Sequence, residues 1–194
     1  RRDLQGIFPL IAPEARFGDV GATVDTALAA RPSAPVYLVK PMPGLESRFA
    51  MQAATPPLVE VMGAAASPPA NRVDQPLGPL TLRGFDWSAG GDAGESVAVR
   101  LVWQVDAPLS ALYTTTTQLF DADGNRIAQD DAAAGGVYYP STLWKPGESI
   151  VEKHILTLPA GAQPVTLLVG MYTGPEMTPL APSLMIDLRG YEPN

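Results

Sequence analysis

From Leu80 onward the apolar residues of this chain recur at every second position. Val97, Val99, Leu101, Trp103 and Val105 alternate with Ser96, Ala98, Arg100 and Gln104, the pattern of a strand with one buried face. Leu80 and Leu82 precede Phe85 and Trp87, so the facing of that strand switches at Gly84, as at a bulge. Tyr113 to Phe120 reads as a Thr-rich strand, which Asp121-Ala122-Asp123-Gly124-Asn125 turns back into Arg126 to Gln129. Ser149 to Leu158, Val165 to Tyr172 and Leu184 to Leu188 complete the set, with Val165, Leu167, Val169 and Met171 on one face.

Strands with one apolar and one polar face bury themselves by stacking as two layers. The expected fold is therefore mainly β. Residues 79–194 read as an immunoglobulin-like or jelly-roll-type β-sandwich, preceded by a small α/β segment at 1–62. In that segment Val20, Val24, Ala27 and Leu28 have helical spacing after the N-cap candidate Asp19, and Pro32 stops the helix. Pro35-Val36-Tyr37-Leu38-Val39 reads as a short buried strand, and Ser47 to Gln52 and Leu58 to Met62 are two further strand candidates. Residues 63–78, rich in Ala and Pro with no period, read as a linker.

Composition narrows the function. The 194 residues are ample for one core, and 46% of them are hydrophobic, too many for a disordered chain. The 21 prolines and 18 glycines fall between the apolar runs, as turns do. A net charge of −7 opposes a nucleic-acid partner. With no cysteine, disulfides, thiolate catalysis and Cys-based zinc sites are excluded. No apolar run reaches the roughly 20 residues that span a bilayer. The chain opens Arg1-Arg2-Asp3 without an initiator methionine. We expect a piece of a longer protein whose export signal or anchor precedes it.

The chemistry-bearing residues do not converge by sequence. His154, the only histidine, lies in a strand pattern with Ile150, Glu152, Leu156 and Leu158 on the same side. It reads as a structural histidine hydrogen-bonded to a carboxylate, not as a catalytic base. Glu148 and Glu152, four apart on one strand, exceed the roughly 5 to 10 Å of a glycosidase pair and read as solvated. The Thr114–Thr117 run has no base beside it. Asp121 and Asp123 are weak metal candidates, because their loop lacks the remaining ligands of a calcium loop and Asp-Gly is foremost a hairpin signal. Gly90-Gly91 and Gly135-Gly136 are turn glycines without the context of a phosphate loop. No cofactor and no catalytic residue is assigned. Tyr138, Tyr139 and Trp144, in a loop-rich stretch, are the candidate ligand-binding residues, either as a sugar-stacking platform or as loop packing. Packing is the reading we favour for them.

Two stretches carry a family resemblance. One runs from Leu119-Phe120-Asp121-Ala122-Asp123-Gly124 through Ala128-Gln129-Asp130 to Tyr139-Pro140-Ser141-Thr142-Leu143-Trp144-Lys145-Pro146-Gly147-Glu148, with Leu158-Pro159 and Val169-Gly170-Met171-Tyr172 beyond it. The other is Arg31-Pro32 and Pro35-Val36-Tyr37-Leu38-Val39-Lys40-Pro41-Met42-Pro43-Gly44-Leu45-Glu46. Together they resemble the C-terminal extracytoplasmic region of bacterial multi-pass glycosyltransferases of the protein-mannosyltransferase type. The resemblance implies a non-catalytic soluble accessory domain in the cell envelope, tethered through an N-terminal membrane region. Such a domain would position the enzyme or contact an acceptor glycan or protein, with the parent's membrane helices as a further partner. Those transferases act through an acidic residue on a loop between membrane helices, so no catalytic residue carries over to this chain. A free-standing carbohydrate-binding module and a structural or protein-interaction sandwich are the alternatives. An exposed apolar patch on 1–62 is the mark of the interaction reading.

Overall fold

A computed structural model describes residues 20–30, 35–88, 96–191 and 193. The proposed cap Asp19, the helix-stopping Pro32, the pair Gly90-Gly91 and the resemblance residue Arg31 lie outside them.

The chain is mainly β. Helix α1 (Val20–Ala30) is followed by β1 (Val36–Leu38), β2 (Phe49–Ala53) and β3 (Val59–Ala64). These strands form a small antiparallel sheet in the order β1-β3-β2. Val24 of α1, Leu38, Phe49 and Val61 are buried on its inner side. The α/β segment expected at 1–62 thus has one helix and three strands among its described residues.

The sandwich begins earlier than its apolar alternation indicates. The stretch 63–78, expected as a linker, contains β4 (Asn71–Leu77), paired with β5 (Leu80–Ser88). The correction has a physical cause. β4 is a sheet edge, so its side chains are mostly exposed and polar, and an edge tolerates Pro76 and a register shift between Arg72 and Gln75. β5 pairs next with β6 (Ser96–Val105), and β6 with β9 (Ser149–Thr157), giving a four-stranded antiparallel sheet. The facing switch at Gly84 is present as a shift in the β5–β6 register between Leu82 and Gly84. A Cβ on Gly84 would overlap the carbonyl oxygen of Asn71, so glycine is also what lets β4 lie this close.

The opposing sheet is built on the hairpin β7 (Thr114–Phe120) and β8 (Arg126–Ala133). β10 (Thr166–Thr173) pairs with β7 on one side. On its other side it takes both the short β11 (Thr178–Pro179) and β12 (Leu184–Asp187). The chain changes sheets between β6 and β7, β8 and β9, and β9 and β10, the Greek-key connections of immunoglobulin-like sandwiches. Leu80, Leu82, Phe85, Leu101, Trp103, Leu119, Ile150, Leu156, Leu167 and Val169 fill the space between the sheets. Of the residues that period-two alternation places on the apolar faces, Trp87 and Val165 are only partly buried.

The two parts of the chain share one core. Leu45, in a short 3-10 turn (Leu45–Ser47), and Phe49 belong to the same buried cluster as the sandwich residues. The seam has a backbone contact at its centre. Gly44 (φ 104°) lies against Gly135 and Gly136, and the Tyr138 N–H donates to the carbonyl of Pro43 at 3.0 Å. A side-chain hub completes it. Glu148 forms an ion pair with Arg48 at 3.3 Å and accepts from the Tyr139 hydroxyl at 2.6 Å and the Lys145 N–H at 2.9 Å.

Candidate functional site

The least expected side chain in the molecule is Glu152. It lies on β9 between Ile150 and His154 in the inward-facing set, and only 8% of it is exposed. A carboxylate taken out of water needs donors. Three are present: the Trp103 indole N–H on β6 at 2.9 Å, the Thr115 hydroxyl on β7 at 2.9 Å, and the Gly135 backbone N–H after β8 at 3.3 Å. One residue thereby ties both sheets to the loop that seats the α/β segment. The expectation of solvated strand glutamates is corrected on both counts. Glu152 is interior because the strand alternation puts it there. Glu148 is held at the seam by Arg48 and Tyr139.

His154 sits one inward position further along β9 and is 1% exposed. Its Nδ1 is 2.7 Å from Oδ2 of Asp130 on β8, the carboxylate partner expected for a structural histidine. An ionised carboxylate only accepts, so Nδ1 carries the hydrogen. Nε2 is buried without a partner, and so is the hydroxyl of Thr117, whose register partner on β8 is Asp130. Hydroxyl, imidazole and carboxylate thus occur at one level of the sandwich, a combination of nucleophilic type. As placed, no hydrogen bond joins Thr117 to His154, and both side chains are sealed from solvent. Asp130, at the outer end of the set, is one-third exposed, and His154 borders a surface groove.

Burial pushes the Glu152 carboxyl above its ordinary range, while the charge of His154 and the hydrogen bonds from Thr115, Trp103 and Gly135 pull it back. The folded chain therefore keeps this proton at pH values where the unfolded chain, with an ordinary value of 4.5, has lost it. Its contribution to stability falls as pH rises from there through the raised folded value, and is level above. In urea titrations across that range, wild type should lose stability relative to Glu152→Gln as pH rises. Parallel pH profiles for the two proteins would contradict this assignment.

A surface recess lies beside this layer and is bordered by Glu152 and His154. It is a groove of about 600 Å³ between the α/β segment and the open side of the sandwich. Glu46, Met51, Arg100, Val137, Val151 and Lys153 are among the residues that line it.

Of the sequence-derived ligand candidates, Tyr139 and Trp144 are in the core, 1% and 2% exposed. The Trp144 indole N–H donates to the carbonyl of Tyr139 at 3.1 Å, and the Tyr139 hydroxyl is engaged by Glu148. Their ring faces pack the long loop onto the sandwich and offer nothing to a sugar. Tyr138 is partly buried against the same core, so the three do not form a platform. The Asp121 carboxylate accepts from the N–H groups of Asp123 and Asn125 at 3.0 and 2.8 Å and from the Asn125 side chain at 3.2 Å. These bonds, the one from the Asn125 backbone foremost, lower its pKa and close the hairpin turn. Among the described residues no group of three or more His, Cys, Asp or Glu side chains is placed to hold a metal ion. No helix among them is long and apolar enough to cross a membrane.

Sequence reasoning missed the Glu152 hub. The signal was available: a glutamate in the inward register of an otherwise apolar strand requires interior donors. Comparison with known proteins yields no matching family model, no matching curated protein and no matching solved structure.

Proposed function

We propose that this chain is a non-catalytic accessory domain of a membrane-anchored envelope glycosyltransferase, of the protein-mannosyltransferase type that its sequence resembles. It docks on the membrane-embedded part of that protein through the outer face of the β1-β3-β2 sheet. One observation carries the reading. Tyr37 and Met62 stand 44% and 58% exposed on the outer side of this sheet, and Val39, just past β1, is 71% exposed. The inner side of the same sheet is already filled by Leu38, Phe49 and Val61, so these residues are surplus to the domain's own core. Exposed apolar residues grouped on one element are the mark of an interaction face, whereas single ones are ordinary. The stretch bearing Tyr37 and Val39 is also the one that resembles the segment following the transferases' last membrane helices. The buried rings of Tyr139 and Trp144 leave the carbohydrate-module alternative without its motivating platform.

The test uses the full-length protein in its membrane. A photo-crosslinker at position 37 should join the domain to the membrane-embedded part. Tyr37→Ser with Val39→Ser and Met62→Ser should abolish that crosslink while changing the stability of the isolated chain by no more than about 0.5 kcal/mol per site. Absence of any crosslink from position 37, with the domain folded, would overturn the reading.

A further inference from the structure

Three strands end their sheets with one edge unpaired: β2 in the small sheet, β9 in the four-stranded sheet and β8 in the opposing one. All three border the same groove, through Ala50 and Met51, Val151 and Lys153, and Ala132. Among the described residues no backbone hydrogen bond joins β9 to any strand but β6, or β2 to any but β3. The groove therefore runs along strand edges that lack ladder partners, with β8 and β9 approaching one another where His154 meets Asp130. Unpaired strand edges of this kind template an added strand. The alanines at 50 and 132 keep the walls low enough for another backbone to approach.

The charges select among extended chains. Arg100 and Lys153 are directly opposite on β6 and β9, a like-charge juxtaposition. Arg100 is answered by Asp86 and by the carbonyl and hydroxyl of Ser67. Of the two carboxylates lining the groove, Glu46 accepts from the Gly44 N–H at 2.8 Å, and Glu152 is turned inward onto Trp103, Thr115 and Gly135. Lys153 is exposed and has no ion pair among the described residues. A glycan is disfavoured because Phe49, the one aromatic residue lining the groove, is buried and presents no stacking face.

We propose that the groove binds an extended peptide by strand addition, with an acidic side chain of that peptide set against Lys153. This surface is separate from the face bearing Tyr37, Val39 and Met62, and neither assignment depends on the other.

Titration of the isotope-labelled chain, followed by amide shifts, tests it. The probe is a blocked nine-residue peptide of alternating threonine and valine, with aspartate placed at each position in turn. At least one register should shift amides at 49–51, 132–133 and 151–154. Replacing its aspartate by lysine should weaken binding about tenfold. N-methylation of alternate amides should abolish binding in one of the two possible phases and spare it in the other. Lys153→Glu, at an exposed site that leaves the fold intact, should reverse the preference between aspartate and lysine. The proposal is overturned if no register binds at millimolar concentration, or if Lys153→Glu leaves the preference unchanged. It is equally overturned if mannohexaose shifts these amides in place of the peptide, or if the chain alone dimerises through them.

Discussion

Glu152→Leu should destabilise the chain by about 3–5 kcal/mol in urea unfolding at neutral pH, the largest effect expected of any single polar substitution described above. The buried Trp103 indole N–H and the Gly135 backbone N–H lose their acceptor. Each such orphan costs about 1–3 kcal/mol. The Thr115 hydroxyl can rotate toward another acceptor and adds less. Leucine restores apolar volume but cannot compensate two fixed donors. Loss of the indole environment should also change the near-ultraviolet circular dichroism of the folded variant. A cost below about 1 kcal/mol would mean that Glu152 is a tolerated passenger and not the hub of the interior.

Gly44→Ala should undo the seam while sparing the sandwich. At φ 104° an L-residue is strained by about 1–3 kcal/mol. The added Cβ would also overlap the Gly135 carbonyl oxygen and crowd the Gly136 backbone. Backbone on both sides leaves no flexible side chain to give way. The chain can escape only by withdrawing 42–47 from the sandwich, which breaks the Tyr138 N–H bond to Pro43 and uncovers Leu45 and Phe49. We expect a loss of at least about 2 kcal/mol and rapid tryptic cleavage after Arg48, with β5 to β10 remaining intact. Cleavage no faster than in the parent would show that the seam does not depend on this contact.

These two residues also mark the limit of what the sequence discloses. The strands of the sandwich were legible because burial of one face imposes period two. The bulge at Gly84 was legible because the facing changed within one run. Asp121 was legible as a turn because its carboxylate serves neighbours two and four residues away, a local arrangement. β4 was not legible, since an edge strand needs neither an apolar face nor an unbroken set of donors, and Pro76 read as a loop residue. Tyr139 and Trp144 stood in a loop, and only the folded chain shows that the loop closes over its own aromatic rings. The contact of Gly44 with Gly135 and Gly136 joins positions far apart in the chain and has no local signature. Glu152 falls between these cases. Its inward register was readable, but its donors come from β6, β7 and the loop after β8, and only the topology brings them together.

The candidate chemistry follows the same division. His154 has the carboxylate partner that the sequence reading gave it, yet Thr117 at the same level is visible only in three dimensions. Thr117 and His154 are buried between the two sheets, while Asp130 is one-third exposed. The two surfaces proposed for recognition are the apolar outer face of the small sheet and the groove between unpaired strand edges.

The most direct test of the central claim, that the α/β segment and the sandwich fold as one unit, is native-state hydrogen exchange on the intact chain. Amides of β2 and β3 should exchange only through the same global opening as those of β6 and β9, with a common urea dependence. Exchange of 49–53 and 59–64 through a much cheaper opening, while β6 and β9 stay protected, would contradict it.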